Sequence, residues 1–93
     1  MTTEVRRDDA QSRYELVLDG QVVGIAEFRN NGDCLVFPHT VIDEPLRGRG
    51  LGDVLVKGAL DDVRARGERV APTCWFVAEY IDTHREYADL VAR

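Results

Sequence analysis

Glycine recurs at positions 48, 50 and 52 inside the string Leu46-Arg47-Gly48-Arg49-Gly50-Leu51-Gly52-Asp53. A chain without Cβ atoms at alternate positions can enter the left-handed region and bring its amides close to a ligand. The flanking residues narrow what such a loop can be. Residues 34–42 alternate, with Leu35, Phe37, His39 and Val41 predicted on one face, and read as a strand. Residues 51–66 carry Leu51, Val54, Leu55, Ala59, Leu60 and Val63 at helical spacing, and Gly67 follows as a stop. A strand, a glycine loop and a helix in that order turn free N–H groups and the positive end of a helix dipole toward one point, which suits an anion such as a phosphate. Arg47 and Arg49 add charged donors. The Gly-Lys-Ser/Thr ending of a P-loop is absent, and the third glycine is misplaced for a dinucleotide-binding fingerprint.

The segments around the loop set the fold class. Tyr14, Leu16 and Leu18 alternate as a strand, and Asp19-Gly20 is a two-residue hairpin signal because both positions take positive φ. Residues 21–28 return as a second strand, and Asn30-Asn31-Gly32-Asp33 turns the chain into the third. Pro38 lies within that third strand and cannot donate to a ladder, so it calls for an edge or a bulge. After the helix, residues 69–74 read as a short strand, 75–81 as a helix and 87–91 as a further turn or short helix. The expected fold is α+β, an antiparallel β-meander followed by the glycine loop, a helix, a strand and C-terminal helices. Residues 1–12 are polar and are expected as a flexible N-terminus, with 13–93 as a single domain.

Charge and composition remove several functions. A net charge of −5 disfavours nucleic-acid binding, which draws on a basic face. It mildly favours basic acceptors. The polar start carries no signal-peptide pattern, and the apolar run 74–78 is far too short to cross a membrane. Cys34 and Cys74 have no metal-type spacing, so no metal is expected, and both are expected as free thiols in a cytoplasmic protein.

Residues 47–52 match the Arg/Gln-x-x-Gly-x-Gly/Ala signature by which the GNAT acetyltransferases hold acetyl-CoA. The lead-in Ile42-Asp43-Glu44-Pro45-Leu46, His39-Thr40 before the loop, Pro72-Thr73-Cys74 after the next strand, and the stretch from Tyr80-Ile81 to His84-Arg85-Glu86-Tyr87 are similar to a compact single-domain subgroup of that superfamily. The resemblance covers residues 14–91 and implies a truncated GNAT-like fold. It implies that the backbone of Gly48, Arg49, Gly50, Leu51, Gly52 and Asp53, with Arg47, holds the pyrophosphate of acetyl-CoA. It further implies that the strand end at Val41 and Ile42 pairs with the pantetheine arm, in a splay between that strand and the next. Larger members carry an extra N-terminal strand and helices that wall the acceptor site. This chain reads as starting at the meander, so an open acceptor site for an amine, on a protein or peptide tail, is expected.

Amide formation needs a base to free the amine, and an acid for the departing thiolate. His39 is the candidate base, since histidine exchanges protons near neutrality, although its place between Phe37 and Val41 also suits a core histidine. Cys74 ends the strand beside the expected thioester, so it either takes the acetyl group or lines the tunnel. Tyr80 is the candidate acid, with a core role as its alternative. Cys34, Trp75 and Phe76 are assigned to packing, and His84, Asp61, Asp62, Arg64, Arg66 and Arg69 to solvated positions. A non-catalytic CoA-binding or regulatory module, or a protein-interaction domain, would also be compatible with these residues. The oligomeric state is left open.

Overall fold

A computed structural model describes residues 2–92. Five strands form one sheet in sequence order: β1 (Thr3–Asp8), β2 (Arg13–Leu18), β3 (Gln21–Asn30), β4 (Leu35–Ile42) and β5 (Val70–Ala71). The first four pair antiparallel, and β5 pairs parallel with β4 after the helix α1 (Leu51–Ala65). The helix α2 (Trp75–Thr83) and a 3-10 segment (Arg85–Leu90) follow. This is the expected α+β architecture with one strand more.

That strand is β1. The sequence reading gives residues 1–12 as a flexible start, whereas residues 3–8 are in register with β2 from Thr3↔Leu18 to Asp8↔Arg13. Met1 lies outside the described residues. β1 holds a single apolar residue, Val5, so hydrophobic periodicity passes over it. Its inward anchor is Arg7 instead. The guanidinium lies 4.9 Å from the Phe28 ring centre and donates to Glu68 at 2.6 Å and to Asp9 at 2.7 Å. Its stem is packed like an apolar side chain while its head remains paired. Val5 rests on α1 at Gly58, where a Cβ would come within 2.5 Å of it.

The meander follows its turn chemistry. Asp19 (φ 48°) and Gly20 (φ 86°) both take the positive φ that the Asp-Gly pair signals. The expected core stripe of α1 needs one exchange: Val54 is exposed and Val56 is buried. The helix is covered both by the sheet and by α2, which widens its apolar face. Tyr14, Phe28 and Phe37 meet beneath it with ring centres 5.6–6.2 Å apart. Two carboxylates expected to be solvated tie outer elements to α1: Asp62 accepts from the Tyr14 hydroxyl at 2.7 Å and Asp61 from Tyr87 at 2.6 Å. Arg64, Arg66 and Arg69 are likewise engaged, Arg64 and Arg69 with the C-terminal segment and Arg66 with Asp62.

Candidate active site

The site is built where β4 and β5 part. They share only the pairs Leu35↔Val70 and Val36↔Ala71. Thr73 Oγ1 and the Cys74 amide then both donate to the Phe37 carbonyl, at 3.0 and 2.7 Å. After that the chain leaves the sheet into α2, while β4 runs on to Ile42 paired with β3 alone. One edge of β4 is therefore without a strand partner beyond Phe37, which is the splay that the family resemblance implies.

A bulge determines what faces it. Glu27 pairs with His39 and Arg29 with Val36, so two residues of β4, Phe37 and Pro38, stand opposite Phe28 alone. Pro38 accounts for the extra residue, because it cannot continue the ladder. A one-residue insertion moves every later side chain to the other face. Leu35 and Phe37 point into the core, but beyond the bulge Thr40 and Ile42 turn inward, and His39 and Val41 are exposed on the opposite face. The expected single face of Leu35, Phe37, His39 and Val41 is thus broken. His39 is not a core histidine: its Nε2 lies 3.1 Å from Glu27 Oε1 on the outer side of the sheet.

The glycine loop closes the end of the cleft. A 3-10 turn, Glu44–Leu46, starts with Pro45 in its first turn and delivers the chain to Gly48 (φ 82°) and Gly50 (φ 75°), the latter capping α1. Both glycines are in the left-handed region, and a Cβ on either would meet nothing within 4 Å. The first amide after the loop with a backbone partner is that of Val54, bonded to Gly50. The N–H groups of residues 48–53 have no partner among the described residues. Six consecutive free donors at a helix N-terminus form an anion cradle. Arg47 is the loop's tie to the strand, with Nε donating to the Ile42 carbonyl at 3.0 Å.

Together these residues bound a cleft of about 410 Å³, with Thr40 and Ile42 on the strand side, the loop at one end, and Phe76 of α2 as the facing wall. Phe76 lies so close to α1 that a Cβ on Gly52 would come within 2.8 Å of its ring. Of the residues expected to hold acetyl-CoA, Ile42, Arg47, Gly48, Gly50, Leu51, Gly52 and Asp53 line this cleft, while Val41 and Arg49 do not. Cys74 sits behind Thr40, 7% exposed, with Sγ 3.9 Å from Thr40 Oγ1. Tyr80 lines the neighbouring groove between the helices, stacked on His84, and burial pushes its hydroxyl pKa up. Trp75, expected in packing, is 73% exposed instead. Sequence reasoning missed Thr40 as a cleft residue, and it missed that Phe76, which packs against the core as expected, also walls the cleft. Pro38 signalled the first, because a bulge there moves Thr40 inward, and Gly52 in the first turn of a helix signalled the second.

No group of three or more potential metal ligands occurs among the described residues, and none of their helices is long and apolar enough to cross a membrane. No curated protein matches the chain at a significant level. A family model described as GCN5-related N-acetyl-transferase matches residues 13–90, from the start of β2 to the end of the 3-10 segment. The chain belongs to the GCN5-related N-acetyltransferase family.

Proposed function

We propose that this protein is an acetyl-CoA-dependent N-acetyltransferase whose acceptor is an amine on a protein or peptide, reached from the open face of the sheet. The observation that carries the proposal is the row of free amides at residues 48–53, of which all but Arg49 belong to residues lining the same cleft as the unpaired edge of β4. The amides and Arg47 suit the diphosphate of acetyl-CoA, and the β4 edge from Thr40 to Ile42 suits the amide-bearing pantetheine arm. The thioester then falls toward Thr40 and Cys74.

His39 stands on the other face of β4 from the cleft, hydrogen-bonded to Glu27, which orients the ring. With Nε2 turned to Glu27, Nδ1 is the atom that takes a proton from the incoming ammonium. The freed amine nitrogen bonds to the acetyl carbon, the carbon–sulfur bond breaks, and the proton that the nitrogen sheds in becoming an amide goes to the departing thiolate. Cys74 is the alternative acyl acceptor: its thiolate would take the acetyl group in exchange for the CoA thiol and pass it to the amine. Tyr80, which lines the adjoining groove, has no step in this assignment. Two free cysteines fit a reducing, cytoplasmic setting.

Titration of the protein with acetyl-CoA, followed by amide NMR shifts, tests the first step. The amides of residues 48–53 shift first, and turnover then follows with lysine-bearing peptides. No shift in the loop overturns the proposal, and binding without turnover on any amine reduces it to a CoA-binding module. Intact-mass measurement after acetyl-CoA alone separates the two routes: a hydroxylamine-reversible adduct on Cys74 marks the covalent one.

A further inference from the structure

A second depression, of about 270 Å³, lies between α1 and α2. It shares Asp53 and Phe76 with the cleft at the glycine loop, so the two adjoin. Trp75 forms its outer rim, 73% exposed and edge-on to Phe76 with ring centres 5.9 Å apart. Tyr80 forms part of its wall, 6% exposed. The hydroxyls of Tyr14 and Tyr87 are each bonded to an aspartate of α1, but that of Tyr80 has no hydrogen-bond partner among the described residues. Asp53 and Glu79 face the same groove, and neither is in a salt bridge among the described residues. The neighbouring lysine, Lys57, is held by Asp61 at 2.8 Å.

We propose that this groove binds a cationic side chain, an ammonium or guanidinium of a basic peptide. Two unpaired carboxylates supply charge-assisted acceptors, the Trp75 ring supplies a face for the cation, and the Tyr80 hydroxyl accepts from its N–H groups. The net charge of −5 draws such a ligand toward the surface. A purine would also stack on Trp75, but the phosphates of a nucleotide seated in this groove would meet Glu79, so that carboxylate favours the cation.

Trp75 is the single tryptophan of the chain, so its emission and indole N–H signal report on this groove alone. The test titrates the full chain, without acetyl-CoA and at low salt, with Nα-acetyl-lysine methylamide, with its neutral Nε-acetylated twin, and with adenosine 3′,5′-bisphosphate. The expected result is a saturable response to the charged probe and a response at least about tenfold weaker to its twin, a loss in keeping with one charge-assisted contact. Glu79→Gln and Tyr80→Phe each weaken the charged probe while leaving the fold intact, since one changes an exposed carboxylate and the other removes only an unbonded hydroxyl. An equal response to both lysine probes, no response, or a response to the bisphosphate alone overturns the proposal. Cation binding without turnover on any acceptor would sink the acetyl-transfer proposal and leave this site standing.

Discussion

A methyl group on Gly52 would come within 2.8 Å of the Phe76 ring, whereas one on Gly50 would meet nothing but would have to sit at φ 75°. These two glycines of one motif therefore fail differently when replaced. Gly52→Ala gains helix propensity, about 1 kcal/mol, and loses more by overpacking, typically 1–3 kcal/mol. Phe76 can yield only by moving, and it is the cleft wall. A modest fall in thermal stability together with weaker acetyl-CoA binding is expected, read by thermal unfolding and calorimetric titration. Gly50→Asp adds left-handed strain of about 1–2 kcal/mol and a negative charge toward the phosphates. Its affinity should fall by more than about tenfold, or 1.4 kcal/mol; a folded variant that binds like the parent contradicts the phosphate role of the loop. The loop was legible in the sequence because glycine spacing and flanking periodicity are local signals. The identities of Thr40 and Phe76 as cleft residues were not, because each depends on a contact made across the fold: a bulge opposite Phe28 for one and helix–helix packing for the other.

At the scale of elements, β1 shows where periodicity stops being informative. Its outer residues Glu4, Arg6 and Asp8 and its inner residues Val5 and Arg7 alternate correctly, but an arginine in an inward position looks like solvent-facing charge. Only Glu68, far along the chain, and the rings of Tyr14 and Phe28 make that position sensible. Arg7→Ala removes the stem from the core and leaves Glu68 without its partner. A loss on the order of 3 kcal/mol is expected by urea unfolding, with β1 amides losing hydrogen-exchange protection first; unchanged protection in β1 would contradict its anchoring by Arg7. β2 carries a second such feature on its outer side. Glu15, 4% exposed, is bonded by Arg6 at 2.9 Å and by Arg13 at 2.9–3.0 Å. The Arg6 contact first, and Arg13 second, hold its carboxyl below the ordinary carboxylate range against the opposing effect of burial. Because the folded-state pKa is depressed, the stabilisation is complete above the unfolded value, near 4.3, and is lost as pH falls through the folded value. The parent should therefore lose stability on acidification below about pH 4.3 more steeply than Glu15→Gln. Parallel urea-unfolding curves against pH would contradict this.

For the molecule as a whole, the sheet divides the proposed chemistry into two sides. α1, α2 and the buried core cover one face, and the cleft opens on that side through Thr40, Ile42 and Phe76. On the opposite face Val22 and Val41 are 39% and 41% exposed, beside the His39–Glu27 pair. The sequence reading expects an open acceptor site because a first strand and walling helices are missing. The strand is present, and what leaves the face open is that both described helices pack on the other side. If acetyl-CoA is held from the helix side and the amine approaches from the open side, the two binding events can be separated by mutation. His39→Gln removes the base without touching the cleft, and the residue is exposed, so folding is not at stake. Turnover should then fall by about 10²–10⁴-fold, the usual contribution of a positioned base, while the dissociation constant for acetyl-CoA remains near the parent value. Glu27→Gln weakens only the orientation of the ring, so its loss should be smaller and in the same sense. Thr40→Val changes the helix-side wall instead, and should raise the dissociation constant for acetyl-CoA. Steady-state kinetics beside calorimetric binding reads all three. A His39→Gln variant with undiminished turnover would remove the histidine from the reaction, and one that loses acetyl-CoA affinity together with turnover would show that the sheet does not divide the site.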